Sequence, residues 1–171
     1  SKDLEVAAWL LEGLLREQNL GGLNNALQTI IGLIEQYWED FCLRNNNDYE
    51  VIVAPIEGLS GGSRDGVLVT PMYMSPVVTL NDGTRITTWD YVLSYEKYSN
   101  EGSDSGEVFE NILDLEVLRE KCASVDTTAF VEIDTSIRQS MQLLQQLHTL
   151  INEKTEQKWQ YSFANLNRVL E

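Results

Sequence analysis

The longest apolar repeat in the chain covers residues 23–43 and has the period of an α-helix. Its apolar residues follow the i, i+3, i+4, i+7 spacing, which places them on one face of a helix. They are Leu23, Ala26, Leu27, Ile30, Ile31, Ile34, Tyr37, Trp38, Phe41 and Cys42. We expect the polar residues between them, Asn24 included, to lie on the opposite, solvent-facing side. A pattern of this length predicts a protein built on packed helices.

A second helix is predicted over residues 3–18, and it is apolar on almost every side. Positions 6–11 read VAAWLL, six apolar residues in succession. The polar residues form one narrow strip and are Glu5, Glu12 and Arg16. A helix of this kind belongs inside a bundle. We therefore expect Trp9 to be a core residue whose change to alanine costs about 3–5 kcal/mol.

Residues 19–22, with the sequence NLGG, separate these two predicted helices. Glycine adopts the left-handed conformation at a helix end at little cost, so Gly21 and Gly22 are expected to stop the first helix. Two helices joined by so short a turn pack as an antiparallel αα-hairpin. Residues 1–43 are therefore predicted to form a helical hairpin.

Residues 44–107 differ in composition and are predicted to form an irregular insertion with a small β-hairpin. Proline, glycine, serine and β-branched residues dominate this segment. Strand-like stretches occur at 51–53, 67–70 and 77–80. The turn Asn81-Asp82-Gly83 lies between 77–80 and 84–87, the arrangement typical of a β-hairpin. By composition, residues 99–106 form a mobile loop.

Residues 108–171 return to helical patterns. The predicted elements are a short helix over 114–123, a long helix that begins after Ser124 or Asp126, and a last helix capped by Ser162. Apolar residues of the long helix recur every seven positions at Phe130, Ile137, Leu144 and Ile151. Ser140 interrupts the accompanying positions of this coiled-coil-like seam. The chain is thus predicted to be mainly α, a helical bundle built on the αα-hairpin and this long helix.

The charge of the chain limits its binding partners. Its net charge is −15, which repels phosphate backbones and anionic lipids, so nucleic-acid and membrane-surface roles are not expected. No apolar run reaches the roughly 18 residues of a membrane span. Cys42 and Cys122 are predicted to be buried free thiols in a reducing compartment.

Catalytic and metal-binding motifs are sparse. Gly58-Leu59-Ser60-Gly61-Gly62 fits the G-x-S-x-G pattern, and His148 follows it as in serine hydrolases. The sequence after Ser60 does not begin a helix, as a nucleophile elbow requires, so a hydrolase is the less favoured alternative. One histidine excludes histidine-pair metal sites. We predict no catalytic residue, cofactor or metal site.

Aromatic residues offer a possible protein contact. Trp89-Asp90-Tyr91 lies in the less regular middle segment. Trp89 and Tyr91 are either core residues or an exposed pair that anchors a protein partner, and the sequence does not decide between them.

Several blocks resemble the ImpA-type N-terminal domain of TssA-like subunits of bacterial type VI secretion systems. The blocks are Ser1–Leu10, Leu14-Leu15, Gly21-Gly22-Leu23, Leu33–Trp38, Ala54-Pro55-Ile56, Trp89-Asp90-Tyr91 and Ser162–Leu166, in the family's order. The family-signature residues, which we expect in the core, are Leu4, Ala7, Ala8, Trp9, Leu10, Gly22, Leu23, Tyr37, Trp38 and Pro55.

The resemblance implies one ImpA-type domain over 1–171, composed of 1–43, 44–107 and 108–171, in a fragment of a longer protein. It implies a cytoplasmic, non-enzymatic assembly role that recruits baseplate and membrane-complex components. It further implies coordination of tail tube and sheath polymerisation. The main oligomerisation region of the family follows the part present here, and self-association through apolar faces is possible. A generic helical adaptor outside secretion is the other alternative.

Overall fold

The computed structural model describes residues 3–99, 112–159 and 161–171, and these are mainly α-helical. The elements of the described residues are α1 (Leu4–Arg44), α2 (Tyr49–Ser60), α3 (Val69–Tyr73), β1 (Pro76–Thr79), β2 (Arg85–Thr87), α4 (Thr88–Ser99), α5 (Leu115–Ala123), α6 (Thr127–Lys154) and α7 (Ala164–Leu170). The predicted mainly α class with a small antiparallel sheet is confirmed. The mobile loop predicted over 99–106 lies, from residue 100 onward, outside the described residues.

The chain divides into two compact units, which are described separately. The first unit contains Ser1–Met72 and Thr135–Glu171, and the second contains Tyr73–Asp134. Treatment of residues 1–171 as one ImpA-type domain stays a prediction.

Helix α1 of the first unit is folded back on itself as a helical hairpin. Asn19 breaks the helix with φ 55° and ψ −143°, a positive-φ conformation outside the left-handed helical region that residues other than glycine rarely adopt. Gly22 then lies against the Leu14 backbone, since a Cβ at Gly22 would be 2.6 Å from the Leu14 carbonyl carbon. Leu4 and Phe41 line the same groove of about 270 Å³. The break therefore falls at Asn19, before the glycine pair, and Gly22 allows the close approach of the two arms.

Helix α2 replaces the strand predicted at 51–53, and that prediction is wrong. The Asp48 side chain accepts a hydrogen bond from the Val51 backbone N–H at 3.3 Å and caps the helix. Ile52, Val53, Ile56 and Leu59 are buried, at a helical rather than an alternating spacing. The strand prediction depended on the β-branched residues of this segment. Their burial on one face of a helix outweighs their strand propensity.

The strand predicted at 67–70 is also wrong, because Val69–Tyr73 forms the short helix α3. Pro71 occupies its first turn, where a missing N–H leaves no helical hydrogen bond unmade. Leu68, Val69 and Met72 are buried.

The two-stranded sheet of the second unit follows the predicted hairpin. Val78 pairs with Ile86 and Thr79 pairs with Arg85, with an irregularity between Pro76 and Val78. The core of this unit comprises Val78, Leu80, Ile86 and Leu118, with Cys122, Val125 and Phe130 packed against it. Phe130 at the start of α6 therefore contributes to this cluster.

Helix α4 was not predicted, although the sequence carries a signal for it. The Thr87 N–H donates to Asp90 Oδ2 at 2.8 Å, and the Asp90 N–H donates to Thr87 Oγ1 at 3.2 Å. This reciprocal pair is a capping box. Helix α6 begins at Thr127, and Asp126 caps it by accepting from the Thr128 N–H at 2.7 Å. Of the two predicted caps, Asp126 is therefore the one used.

Candidate protein-interaction surface

The geometry around Ser60 is not that of a nucleophile elbow. Ser60 is the last residue of α2, whereas an elbow places its serine after a strand. Its side chain is fully buried. His148 instead interacts with Asn152, with 2.9 Å between His148 Nε2 and Asn152 Nδ2. No hydrogen bond between Ser60 and His148 occurs among the described residues.

A polar and aromatic cluster links the end of α2 to the C-terminal residues of the first unit. The Trp159 indole N–H donates to Glu57 Oε1, and the Tyr161 hydroxyl donates to the Glu57 carbonyl at 2.9 Å. Burial raises the pKa of the Tyr161 hydroxyl, the Glu57 charge adds to the rise, and Ser60 opposes it. Asn165 Nδ2 donates to the Ser60 carbonyl at 3.0 Å. Asn165 Nδ2 also lies 3.3 Å from the Gly61 carbonyl and 3.2 Å from the Gly62 carbonyl, so it holds residues 60–62 against the C-terminal segment.

The first arm of α1 has two apolar faces, and the described residues cover only one of them. Leu4, Leu11 and Leu15 are buried. On the other side, Val6 is 49% exposed, Trp9 65% and Leu10 50%. Because an α-helix turns about 100° per residue, the two sets lie on opposite sides of the helix. We name the exposed set, together with Gly13, the outer stripe; its members are Val6, Trp9, Leu10 and Gly13.

The expectation that Trp9 and Leu10 belong to the core is therefore wrong. The run at positions 6–11 suggested a helix enclosed on all sides, but the bundle packs against only one of its apolar faces. The other signature residues agree better with a core position. Leu4, Ala7, Ala8, Gly22, Leu23 and Trp38 are buried, whereas Tyr37 and Pro55 are half-buried.

Acidic side chains flank the outer stripe. Glu5 and Glu12 lie along one edge, and Glu17 lies at the C-terminal end of the stripe. Arg16, the basic residue beside them, forms an ion pair with Glu12, with 2.7 Å between Arg16 Nη2 and Glu12 Oε1. Within residues 3–18, the charged side chains beside the outer stripe are therefore negative overall.

A second exposed aromatic group lies on α4 of the other unit. Trp89 is 42% exposed and Tyr91 is 46% exposed, so the exposed alternative fits these residues better than a core position. Trp89 also makes an edge-to-face contact with Tyr73, with ring centroids 5.8 Å apart. Tyr91, Tyr95 and Tyr98 follow the i, i+4, i+7 spacing and share one exposed face of α4, whereas Trp89 lies on nearly the opposite side of the helix.

The two thiols are free, as the sequence predicts. Cys42 is buried, but Cys122 is only half-buried, so its predicted burial is wrong in degree. Burial raises the pKa of both thiols; at Cys42 the Glu39 charge adds to the rise and Lys154 opposes it. Thiols with raised pKa values are weak nucleophiles at neutral pH.

Metal-binding and membrane-spanning features are not found in the parts of the chain that the structure describes. In residues 3–99, 112–159 and 161–171, no three His, Cys, Asp or Glu side chains are grouped so that they could hold a metal ion. Across the same residues, no helix combines the length and apolar character needed to cross a membrane.

These features define a mainly helical protein with exposed apolar and aromatic side chains on α1 and α4. Its first 61 residues match the family model described as ImpA, N-terminal, type VI secretion system. The match confirms the resemblance over these 61 of the 171 residues. The blocks Trp89-Asp90-Tyr91 and Ser162–Leu166 lie outside the matched segment. No curated protein and no solved structure matches the chain.

Proposed function

We propose that the protein is a non-enzymatic assembly module of a bacterial type VI secretion system and acts through protein contacts. The observation that carries this proposal is the position of the outer stripe inside the matched segment 1–61. An exposed tryptophan with adjacent aliphatic residues is typical of the centre of a protein interface. The buried face of the same helix packs within the fold, whereas the outer stripe is exposed among the described residues.

We base a more specific role on the resemblance to TssA-like subunits. The module recruits components of the baseplate and membrane complex in the cytoplasm and coordinates polymerisation of the tail tube and sheath. Trp89 and Tyr91 on α4 are further proposed contact residues, because both are exposed and aromatic residues are enriched at interface centres. They lie on different sides of the helix.

A binding experiment with purified components tests this function. The full chain is immobilised and offered tube, sheath, baseplate and membrane-complex proteins from the same bacterium, one at a time. We expect at least one component to bind reversibly, and Trp89→Ala and Tyr91→Ala, tested separately, to weaken that binding. Failure of every component to bind would contradict the proposed function.

The non-enzymatic part has its own test. The protein is incubated with a fluorophosphonate probe, which labels activated serines. We expect no labelling, because the Ser60 side chain is fully buried. Labelling that disappears in Ser60→Ala would contradict this part of the proposal.

A further inference from the structure

The outer stripe has the spacing of a helix-binding ridge. Val6, Trp9, Leu10 and Gly13 follow the i, i+3, i+4, i+7 pattern, so they form one continuous row about 10 Å long. Rows of this kind pack into the groove between the side chains of a second helix. A partner helix would meet apolar side chains along the whole row.

Gly13 leaves a gap in the row of side chains, because glycine has no side chain. A glycine inside a helix lowers its stability relative to alanine, and a Cβ at Gly13 would have no atom within 4 Å. Packing within the described chain therefore does not require glycine here. A partner backbone that approaches closely at this position would require it.

The charged residues beside the row indicate which charge the partner surface carries. Among residues 3–18, Glu5, Glu12 and Glu17 outnumber Arg16, which is paired with Glu12. Two copies of the chain, each with a net charge of −15, would bring the same acidic edges together, and such like-charge contacts are unfavourable. A helix with lysine or arginine beside its apolar face is complementary.

We propose that the outer stripe binds an amphipathic helix of a partner protein whose apolar face is bordered by basic residues. This inference rests on the proposed function, since it names the chemistry of the partner surface that the assembly module recognises. It assigns Trp9 as the central anchor, with Leu10 and Val6 beside it. Glu5 and Glu17, the two flanking carboxylates that are not paired with Arg16, contact the basic border.

A labelled peptide tests the inference without any secretion component. The probe is a fluorescein-labelled leucine–lysine amphipathic peptide of roughly 18 residues, long enough to form a helix. Its affinity is measured by anisotropy for the full chain and for a variant with Trp9→Ser and Leu10→Ser. Leu43→Ser is the matched control, because Leu43 is another exposed leucine of α1, at 77% exposure.

We expect the Trp9→Ser, Leu10→Ser variant to bind about tenfold more weakly or worse, as for an interface anchor, and Leu43→Ser to bind within about twofold of the unchanged protein. None of these changes alters the charge, so general attraction of a cationic peptide to an acidic protein is the same in all three. Equal affinity in all three, or equal losses in both variants, would overturn the inference.

Two further measurements complete the test. Gly13→Ala should weaken peptide binding. Gly21→Ala is its control and should not, although its added Cβ also has no atom within 4 Å. These two variants replace the double variant in the test if the double variant does not fold. Sedimentation should show no dimer that depends on Trp9, and such a dimer would overturn the inference in favour of a second copy. Because the peptide is not a secretion component, the peptide test and the component-binding test can fail independently.

Discussion

Asn24 and Ser140 are joined by a buried hydrogen bond of 2.7 Å between Ser140 Oγ and Asn24 Oδ1. Asn24 Nδ2 also donates to the Ser136 carbonyl at 3.1 Å. The pair connects the second arm of α1 to α6 inside the first unit. Since a buried polar pair is favourable only when both partners meet, it fixes which turns of the two helices lie opposite each other.

Removal of the Ser140 hydroxyl should destabilise the protein. Ser140→Ala leaves a buried Asn24 acceptor short of its donor, at a cost of about 1–3 kcal/mol. Asn24→Leu combined with Ser140→Ala should cost less than the two single changes added together, because the double variant has no Asn24 amide to leave without its donor. The Ser140 hydroxyl also has the Ser136 carbonyl as an acceptor at 2.9 Å. Urea unfolding of the four proteins measures this, and strictly additive free energies would show that the two side chains are not coupled.

Trp9 should contribute little to folding stability. Since most of its side chain is exposed, Trp9→Ala should change the free energy of unfolding by less than about 1 kcal/mol. Leu11→Ala is the comparison, because Leu11 is fully buried, and it should cost about 2–5 kcal/mol. Thermal or urea unfolding distinguishes them; a loss at Trp9 as large as that at Leu11 would place Trp9 in the core after all.

Gly22 should not tolerate a side chain, whereas Gly21 should. A Cβ at Gly22 would overlap the Leu14 carbonyl group and lie 2.9 Å from Gln18 Cβ, so Gly22→Ala should destabilise the hairpin by about 1–3 kcal/mol or more. A Cβ at Gly21 meets open space, and Gly21→Ala should be neutral or stabilise by up to about 1 kcal/mol. Similar effects of the two changes on the unfolding midpoint would contradict the close contact of the two arms.

Asp126 should make the free energy of unfolding depend on pH in the acid range. Its hydrogen bond from the Thr128 backbone N–H, followed by that from the Thr128 side chain, lowers the pKa of its carboxyl group. A pKa lower in the folded than in the unfolded chain gives a stabilising contribution that is present above the unfolded value of about 3.9. That contribution is lost as the pH falls through the folded pKa.

An NMR titration of the Asp126 carboxyl group measures this directly. Asp126→Asn keeps an acceptor at the helix cap but does not titrate, so its stability should vary less between neutral pH and pH values below the folded pKa. An Asp126 pKa at or above the value in unfolded peptides would contradict the capping contact.

Local sequence patterns predicted much of the fold. The five-turn pattern of residues 23–43 and the turn Asn81-Asp82-Gly83 each correspond to an observed element. The sequence also contains the helix-capping residue Asp48 and the Thr87–Asp90 capping pair. Near Asp48, however, the β-branched residues predicted a strand. Burial on one helical face decided the outcome there.

Long-range pairing could not be predicted. Ser140 was recognisable as a polar gap in the α6 seam, but its partner Asn24 lies 116 positions away and was expected to face solvent. Similarly, the apolar residues of the first arm do not reveal which of its two faces the rest of the chain covers. Both questions depend on how the helices pack, so the outer stripe could be located only in the folded protein.

The measurement that tests the central claim most directly is binding of the secretion components to outer-stripe variants. The unchanged chain, the Trp9→Ser, Leu10→Ser variant and the Leu43→Ser control are each immobilised and offered the component that binds the unchanged chain. We predict that the double variant, shown to be folded by circular dichroism, loses at least about tenfold in affinity while the control keeps it. Undiminished binding by the folded double variant would contradict the claim that this protein assembles with its partners through the outer face of its first helix.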